Sequence, residues 1–424
     1  MKPGAVCVAQ AVDIQGEVAD GFEPLRETFE RNFAERGDRG AAVAVHLDGR
    51  KVVDLWGGVR DADAWDSDAG AAEGGAADAG AAGGGASWAR DTAVLVRSAT
   101  KGVAAAVPLL LHERGLLDLD APVGSYWPEF KAAGKEHVTV SELLAHRAGL
   151  AALDAPLTPA RAADGESAAR ALAEQAPFWE PGTAHGYHAQ TYGWLLSELV
   201  LRVTGHTLGR FLAEEVTGPR GLDFRVGVPD AAADHAAGRL ARVAAVEPPA
   251  RTGTLKVRAR RDIAEAWADP ESLTRRAFAA VTPLPDENDP AWLAADLPGS
   301  AGVGTARALS GFYAATFGAT EDGPRLLTPA STALAGRELS AGPDRVLIAR
   351  TRFGPGWMLH GPAAPMLSPA SYGHPGRGGS LGFADPDAGI GFGYVTNGLA
   401  PSVTADPRAQ ALVRTLRTIL ADRA

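Results

Sequence analysis

The periodicity of apolar residues changes twice along this 424-residue chain, and those changes restrict the folds open to it. Near the start, Phe22, Leu25, Phe29 and Phe33 fall on one face of a helical pattern over residues 21–36, with charges opposite. Residues 41–58 then read AAVAVHLDGRKVVDLWGG, two strand-like runs around Asp48-Gly49, a pair suited to a tight hairpin. Strand patterns return late, at residues 345–351 and in GSLGFAD and GIGFGYVTN, which are separated by a turn around Pro386-Asp387-Ala388. An amphipathic helix over residues 406–420 follows. Between these ends lie helical signals: residues 98–118, which Pro108 should kink or limit, residues 190–203, closed by Thr204-Gly205, and shorter stretches near Ala171, Asp262 and Ala306. The simplest assembly is of the α/β (α+β) class. One antiparallel sheet, formed from both chain ends and flanked by helices, packs beside a mainly helical domain, with a cleft between them. We expect residues 1–97 and 341–424 in the sheet domain and residues 98–340 in the helical one. Residues 66–85 are almost entirely Ala, Gly, Asp and Glu, and cannot bury enough side chain to offset their ordering entropy. They read as a flexible surface insertion.

Charge and cysteine usage narrow the class of partner. Forty-one basic against 51 acidic residues give a net charge of −10, which disfavours nucleic acid as a partner. The densest basic stretch, LKVRARR at residues 255–261, alternates as a solvated strand face does. A single cysteine, Cys7, permits no intrachain disulfide and fits a reducing compartment. The opening residues hold no apolar core of signal-peptide length, and no run of 18 apolar residues occurs. The expectation is a soluble, cytoplasmic protein with no membrane partner.

Three short elements carry chemistry. Ser98-Ala99-Thr100-Lys101 is an S-x-x-K opening an apolar helix. Residues three apart share a helix face, so the amine can reach the hydroxyl, and the helix N-terminus favours a developing alkoxide. The amine acts as a base only if burial or nearby charge lowers its pKa. Alone, the motif also describes a capping Ser followed by a surface Lys. Tyr187 sits on a turn between Trp179-Glu180-Pro181-Gly182 and the helix from Gln190, where its phenol could move a proton or simply be buried and satisfied. Gly373-His374-Pro375-Gly376-Arg377-Gly378-Gly379-Ser380 leads into a strand. Its glycines let backbone N–H groups approach a ligand, although a plain glycine-rich turn would read the same. Gly378-Gly379-Ser380-Leu381-Gly382 matches G-x-S-x-G, but a strand follows the Ser and no His occurs beyond His374, against the nucleophile-elbow reading. No metal site is expected: no H-E-x-x-H or two-Cys spacing exists, and His185 and His188 lie on a glycine-containing turn. No cofactor motif is present.

Together and in this order, the three elements resemble those of the serine β-lactamase and penicillin-binding-protein superfamily, most of all class C β-lactamases and family VIII carboxylesterases. Ser98-x-x-Lys101 matches the first motif. Tyr187-His188-Ala189 falls where the family has Tyr-x-Asn, and His374-Pro375-Gly376 where β-lactamases have Lys-Thr-Gly. GLLDLDAPVGSYWPEF, VTVSELLAHRAGL, WEPGTAHGYHAQTYGWLL and GVGTARALSGFYA extend the likeness from about Gly40 to Asn397. The resemblance implies a Ser98 acyl-enzyme, with Lys101 and Tyr187 transferring protons and the backbone N–H groups of Ser98 and Arg377, after Gly376, holding the oxyanion. The substrate would be a small-molecule ester or amide. The departures are Ala189 for Asn and His374 for Lys, and a neutral His is the weaker anion partner. They point to an esterase on neutral acyl esters. A β-lactamase or D-Ala peptidase, an acyltransferase or peptide cyclase, and a non-catalytic relative are the alternatives. His146 reads as structural.

Overall fold

A computed structural model describes residues 12–63, 86–247 and 261–423. Cys7, the Ala/Gly-rich insertion at 66–85 and basic residues 255–260 lie outside the described residues. Arg261 opens the helix Arg261–Ala268 and extends no strand.

Among the described residues, nine strands form the main sheet: β1 (Ile14–Val18), β2 (Gly40–Leu47), β3 (Arg50–Gly58), β4 (Ser340–Pro343), β5 (Arg350–Phe353), β6 (Met358–Leu359), β7 (Tyr372–Pro375), β8 (Leu381–Asp385) and β9 (Ile390–Thr396). Their order is β1-β3-β2-β9-β8-β7-β6-β5-β4, and every neighbouring pair is antiparallel. Early and late parts of the chain therefore meet along one seam, where Val43 faces Tyr394 and Val45 faces Phe392. Asp48 and Gly49 make the β2–β3 hairpin with φ of 49° and 78°, the two left-handed residues that a tight hairpin turn requires. A smaller antiparallel sheet joins Val94–Leu95, Gly302–Gly304 and Phe224–Val226.

Five helices position the site: α1 (Glu23–Arg36), α2 (Ala99–Ala104), α3 (Thr191–Thr204), α4 (Ala306–Ala315) and α5 (Pro407–Arg423). Phe22, Leu25, Phe29 and Phe33 of the α1 region pack with Leu412 and Leu416 of α5, and with Val43, Val45, Phe383 and Phe392 of the sheet. Helix α4 comes from the stretch expected in the helical domain, yet it lies directly on the sheet. Glycines of β8 and β9 make this possible. A Cβ on Gly391 would stand 2.4 Å from the Ser310 carbonyl oxygen, and one on Gly393 would stand 2.3 Å from that of Ala306. The glycine alternation in GIGFGYVTN is thus a groove for a helix.

The 98–118 helix is interrupted, as Pro108 leads one to expect, into two segments, α2 and Ala106–Glu113, meeting at Ala105. Pro108 has no N–H to offer the Ala104 carbonyl, so the break falls one turn before it. Residues 345–351 are not one strand. They span a turn followed by the start of β5, because the Asp344 carboxylate accepts the N–H groups of Val346 at 2.8 Å and Leu347 at 2.9 Å and folds the chain back.

Candidate active site

Ser98 caps α2, where the chain leaves the strand Val94–Leu95. The preceding Arg97 makes that bend with φ 48°, a left-handed conformation costly for any residue with a Cβ and sustained by surrounding contacts. Those contacts are present. The Arg97 guanidinium pairs with Glu287 (Nε–Oε1 2.8 Å) and donates to the Arg377 carbonyl at 3.1 Å. Its own carbonyl accepts the Thr100 hydroxyl.

One turn into α2, Lys101 is completely buried. Its Nζ lies 3.3 Å from Ser98 Oγ and donates to the carbonyls of Ala189 at 2.7 Å and Gly299 at 2.6 Å. Desolvation pushes its pKa down to about 7, so near neutrality the amine exists in both protonation states. Two carbonyls take two N–H bonds, and the remaining valence faces the Ser98 hydroxyl.

Tyr187 closes the other side. Its backbone N–H donates to Asp344 Oδ1 at 3.1 Å. Its ring stacks on Phe353 at 6.3 Å and lies edge-on to His146 at 5.2 Å. Lys101 Nζ is 5.1 Å from the ring centre. Burial raises the phenol's pKa, opposed in part by a hydrogen bond with Ser98, so the resting group is a neutral phenol. His146 is buried beneath it and accepts the His188 N–H through Nδ1 at 3.2 Å, a packing and anchoring role.

The glycine-rich loop after β7 completes the surround. A Cβ on Gly376 would come 2.2 Å from the Val96 carbonyl oxygen, so only glycine lets this loop abut the entry to Ser98. Among the described residues, the N–H groups of Ser98 and Arg377 donate to no protein acceptor. The Arg377 guanidinium instead lies over the rings of Trp267 and Phe278, 5.7 and 5.6 Å from their centres. His374 is buried, with Nδ1 2.7 Å from the Pro375 carbonyl. Burial, aided by the Lys101 charge, pushes its pKa down to about 3, so it is uncharged at neutral pH.

The His-x-x-His and G-x-S-x-G patterns resolve otherwise. His188 bonds the Leu150 N–H through Nε2 at 3.1 Å and the Gly186 carbonyl through Nδ1 at 2.7 Å. His185 contacts the Thr351 hydroxyl at 2.8 Å. Ser380 is buried, leads straight into β8, and its carbonyl accepts the Gly376 N–H.

Outside Ser98 opens a cleft of about 220 Å³. Trp194, Phe278, Val281, Leu284, Trp292 and Leu297 form its apolar wall, with Arg97, Glu287, Gln190 and Ser300 at its polar edge. Sequence reasoning overlooked Gly299, Asp344 and this wall. The first acts through a carbonyl, which every residue has. Asp344 shows only as part of a Pro-Asp turn.

Comparison with known proteins adds the following. The family model described as "Beta-lactamase" matches residues 26–415. "Esterase/beta-lactamase LipL" of Mycobacterium tuberculosis (strain ATCC 25618 / H37Rv) is 34% identical over 395 residues, spanning 91% of this chain and 83% of that protein. The crystal structure of a family VIII carboxylesterase superposes with a TM-score of 0.79 at 34% identity, covering 96% of this chain and 100% of its own. A penicillin-binding-protein homolog from Caulobacter crescentus gives 0.77 at 32%, with the same coverage of 96% and 100%.

Proposed function

The chain belongs to the beta-lactamase family, as a hydrolase of its esterase/β-lactamase branch, and from that premise we propose a carboxylesterase working through a Ser98 acyl-enzyme. The observation that carries this reading is one hydroxyl next to a buried, partly deprotonated amine, with a neutral phenol across from it.

Ser98 Oγ attacks the ester carbonyl carbon while neutral Lys101 takes the hydroxyl proton. The oxyanion accepts the free N–H groups of Ser98 and Arg377 in a site partly withdrawn from water. The C–O bond to the leaving group breaks, and the departing oxygen takes the Tyr187 proton. Lys101 returns a proton to Tyr187, restoring both groups. A water molecule, deprotonated by Lys101, then attacks the acyl carbonyl; the acyl C–Oγ bond breaks, Lys101 gives its proton to Ser98 Oγ, and the acid leaves. Residues 1–97 with 341–424, and residues 98–340 apart from α4, which packs on the sheet, are the two domains we assign to the walls of the cleft.

Three features favour esters over β-lactams. His374 is neutral where a cation would grip a carboxylate. Ala189 offers Lys101 its backbone carbonyl and carries no side-chain amide. One wall of the cleft is apolar, which suits uncharged acyl chains. A second reading, β-lactam hydrolysis, rests on the double description of the mycobacterial relative.

The test is turnover of p-nitrophenyl acetate and butyrate by wild type and Ser98→Ala, with intact-mass detection of the acylated protein. Wild type should hydrolyse both, and the variant should lose nearly all activity and the mass shift. Equal rates in the two proteins would remove Ser98 as nucleophile. Efficient nitrocefin turnover with poor ester turnover would transfer the assignment to the second reading.

A further inference from the structure

Apart from the Ser98 cleft, one group of side chains among the described residues has the chemistry of a metal site. His46 lies on β2 and is 1% exposed. Its Nδ1 is 3.0 Å from Ser310 Oγ, and that hydroxyl gives its own proton to the Arg307 carbonyl at 3.1 Å. With the hydroxyl turned to Arg307, Ser310 accepts from Nδ1–H, and Nε2 is then left with a bare lone pair. Among the described residues Nε2 has no hydrogen-bond partner. It faces Asp322 Oδ2 across 3.9 Å, too far for a hydrogen bond, and two facing acceptors have no reason to approach.

The surroundings hold this opening in place. Glu321 is fixed by its N–H to the Gly49 carbonyl at 3.0 Å, which ties the loop after α4 to the β2–β3 hairpin tip. Gly311 of α4 floors the gap. A Cβ there would lie 3.6 Å from His46 Cε1 and 3.8 Å from Asp322 Oδ2. One ligand atom each from His46, Glu321 and Asp322 lies within 4.8 Å of the others. A point between three such atoms is at most about 2.8 Å from each, against ~2.0–2.2 Å for zinc bonded to nitrogen or carboxylate oxygen. Closing the remaining gap of about 0.6–0.8 Å takes side-chain rotation, which two exposed carboxylates on a loop can supply.

We propose that His46 Nε2, Glu321 and Asp322 bind one divalent transition-metal ion, zinc foremost, which clamps the loop after α4 to the β2–β3 hairpin. Imidazole with two carboxylates suits zinc better than calcium or magnesium, which take oxygen alone. The Ser310 hydroxyl supplies the outer hydrogen bond that fixes a metal-binding histidine's tautomer. No residue of this site lines the Ser98 cleft, so its role is structural. Spacing rules miss it because the ligands come from β2 and from a loop far along the chain.

The test uses full-length protein freed of metal by chelator and titrated calorimetrically with zinc chloride, with the melting temperature followed in parallel. One equivalent should bind saturably and raise the melting temperature, while magnesium and calcium chloride should not. The exposed-site variant Glu321→Gln/Asp322→Asn should melt with the wild type in the absence of zinc. It should bind zinc at least about tenfold more weakly, since losing outer-shell partners alone costs 10–100-fold. Its ester turnover should equal that of wild type. Unchanged zinc affinity in this variant, absence of saturable binding to wild type, or equal stabilisation by magnesium would each overturn the proposal.

Discussion

Lys101 is the residue whose environment decides the reaction. Its pKa is lowered to about 7 by burial, and only the deprotonated amine can take the Ser98 proton. Ester kcat/KM should therefore rise with pH through an inflection near 7 and level off above it. An inflection above about 9, near the ordinary lysine value, would mean that the amine is not buried as described. The same shift has a stability consequence of defined sign. Between about 7 and 10.5 the unfolded chain holds this proton and the folded chain does not, so the lysine's contribution to stability rises with pH across that window. Lys101→Met should flatten this rise in chemical denaturation while abolishing turnover. The pairing with Ser98 was legible because helical geometry puts residues three apart on one face. The carbonyls of Ala189 and Gly299, which orient the amine, were not, since a backbone acceptor has no sequence signature.

At the level of elements, the loop between β4 and β5 governs Tyr187. The buried Asp344 carboxylate accepts N–H groups from Tyr187, Val346 and Leu347 and, at 3.0 Å, the Thr351 hydroxyl. One side chain thus holds the turn and the phenol's backbone together. Asp344→Ala should cost about 1–3 kcal/mol for each backbone N–H left buried and unpaired. It should also lower kcat by roughly 10²-fold with little change in KM, as misplacement of a reacting group by an ångström does. Asp344→Asn keeps an acceptor oxygen and should recover part of kcat. Equal loss in both variants, or a change confined to KM, would remove the positioning role. The hairpin at Asp48-Gly49 and α3, capped by Gly205, were readable because turn and cap chemistry is local. Residues 345–351 were misread because an apolar run does not reveal that a neighbouring carboxylate will bend it.

Across the whole molecule, the α+β class was readable from where strand patterns stop and resume, but the strand order was not. Pairing of β2 with β9 depends on glycines opposite α4 and on side chains that meet only after folding. A buried ion network then fastens the late part of the chain to the site. Arg408 of α5 contacts Asp38 at 3.2 Å, Asp406 at 2.9 Å and the Gly398 carbonyl at 2.7 Å, and it donates to the carbonyl of Gly378 beside Arg377. Arg408→Met would leave Asp38 and Asp406 buried without a cation, at a cost of about 3–5 kcal/mol. Urea denaturation should show this as a lowered midpoint, and an unchanged midpoint would mean that the network contributes nothing to folding.

The seam between β2 and β9 also has a consequence for biosynthesis. When the first hairpin leaves the ribosome, the strand that must lie beside it has yet to be translated. Until it arrives, β2 presents a row of bare backbone donors and acceptors to any other chain nearby. Escape from aggregation at that stage depends on how quickly the rest of the polypeptide is made and on whatever cellular factor shields the waiting edge.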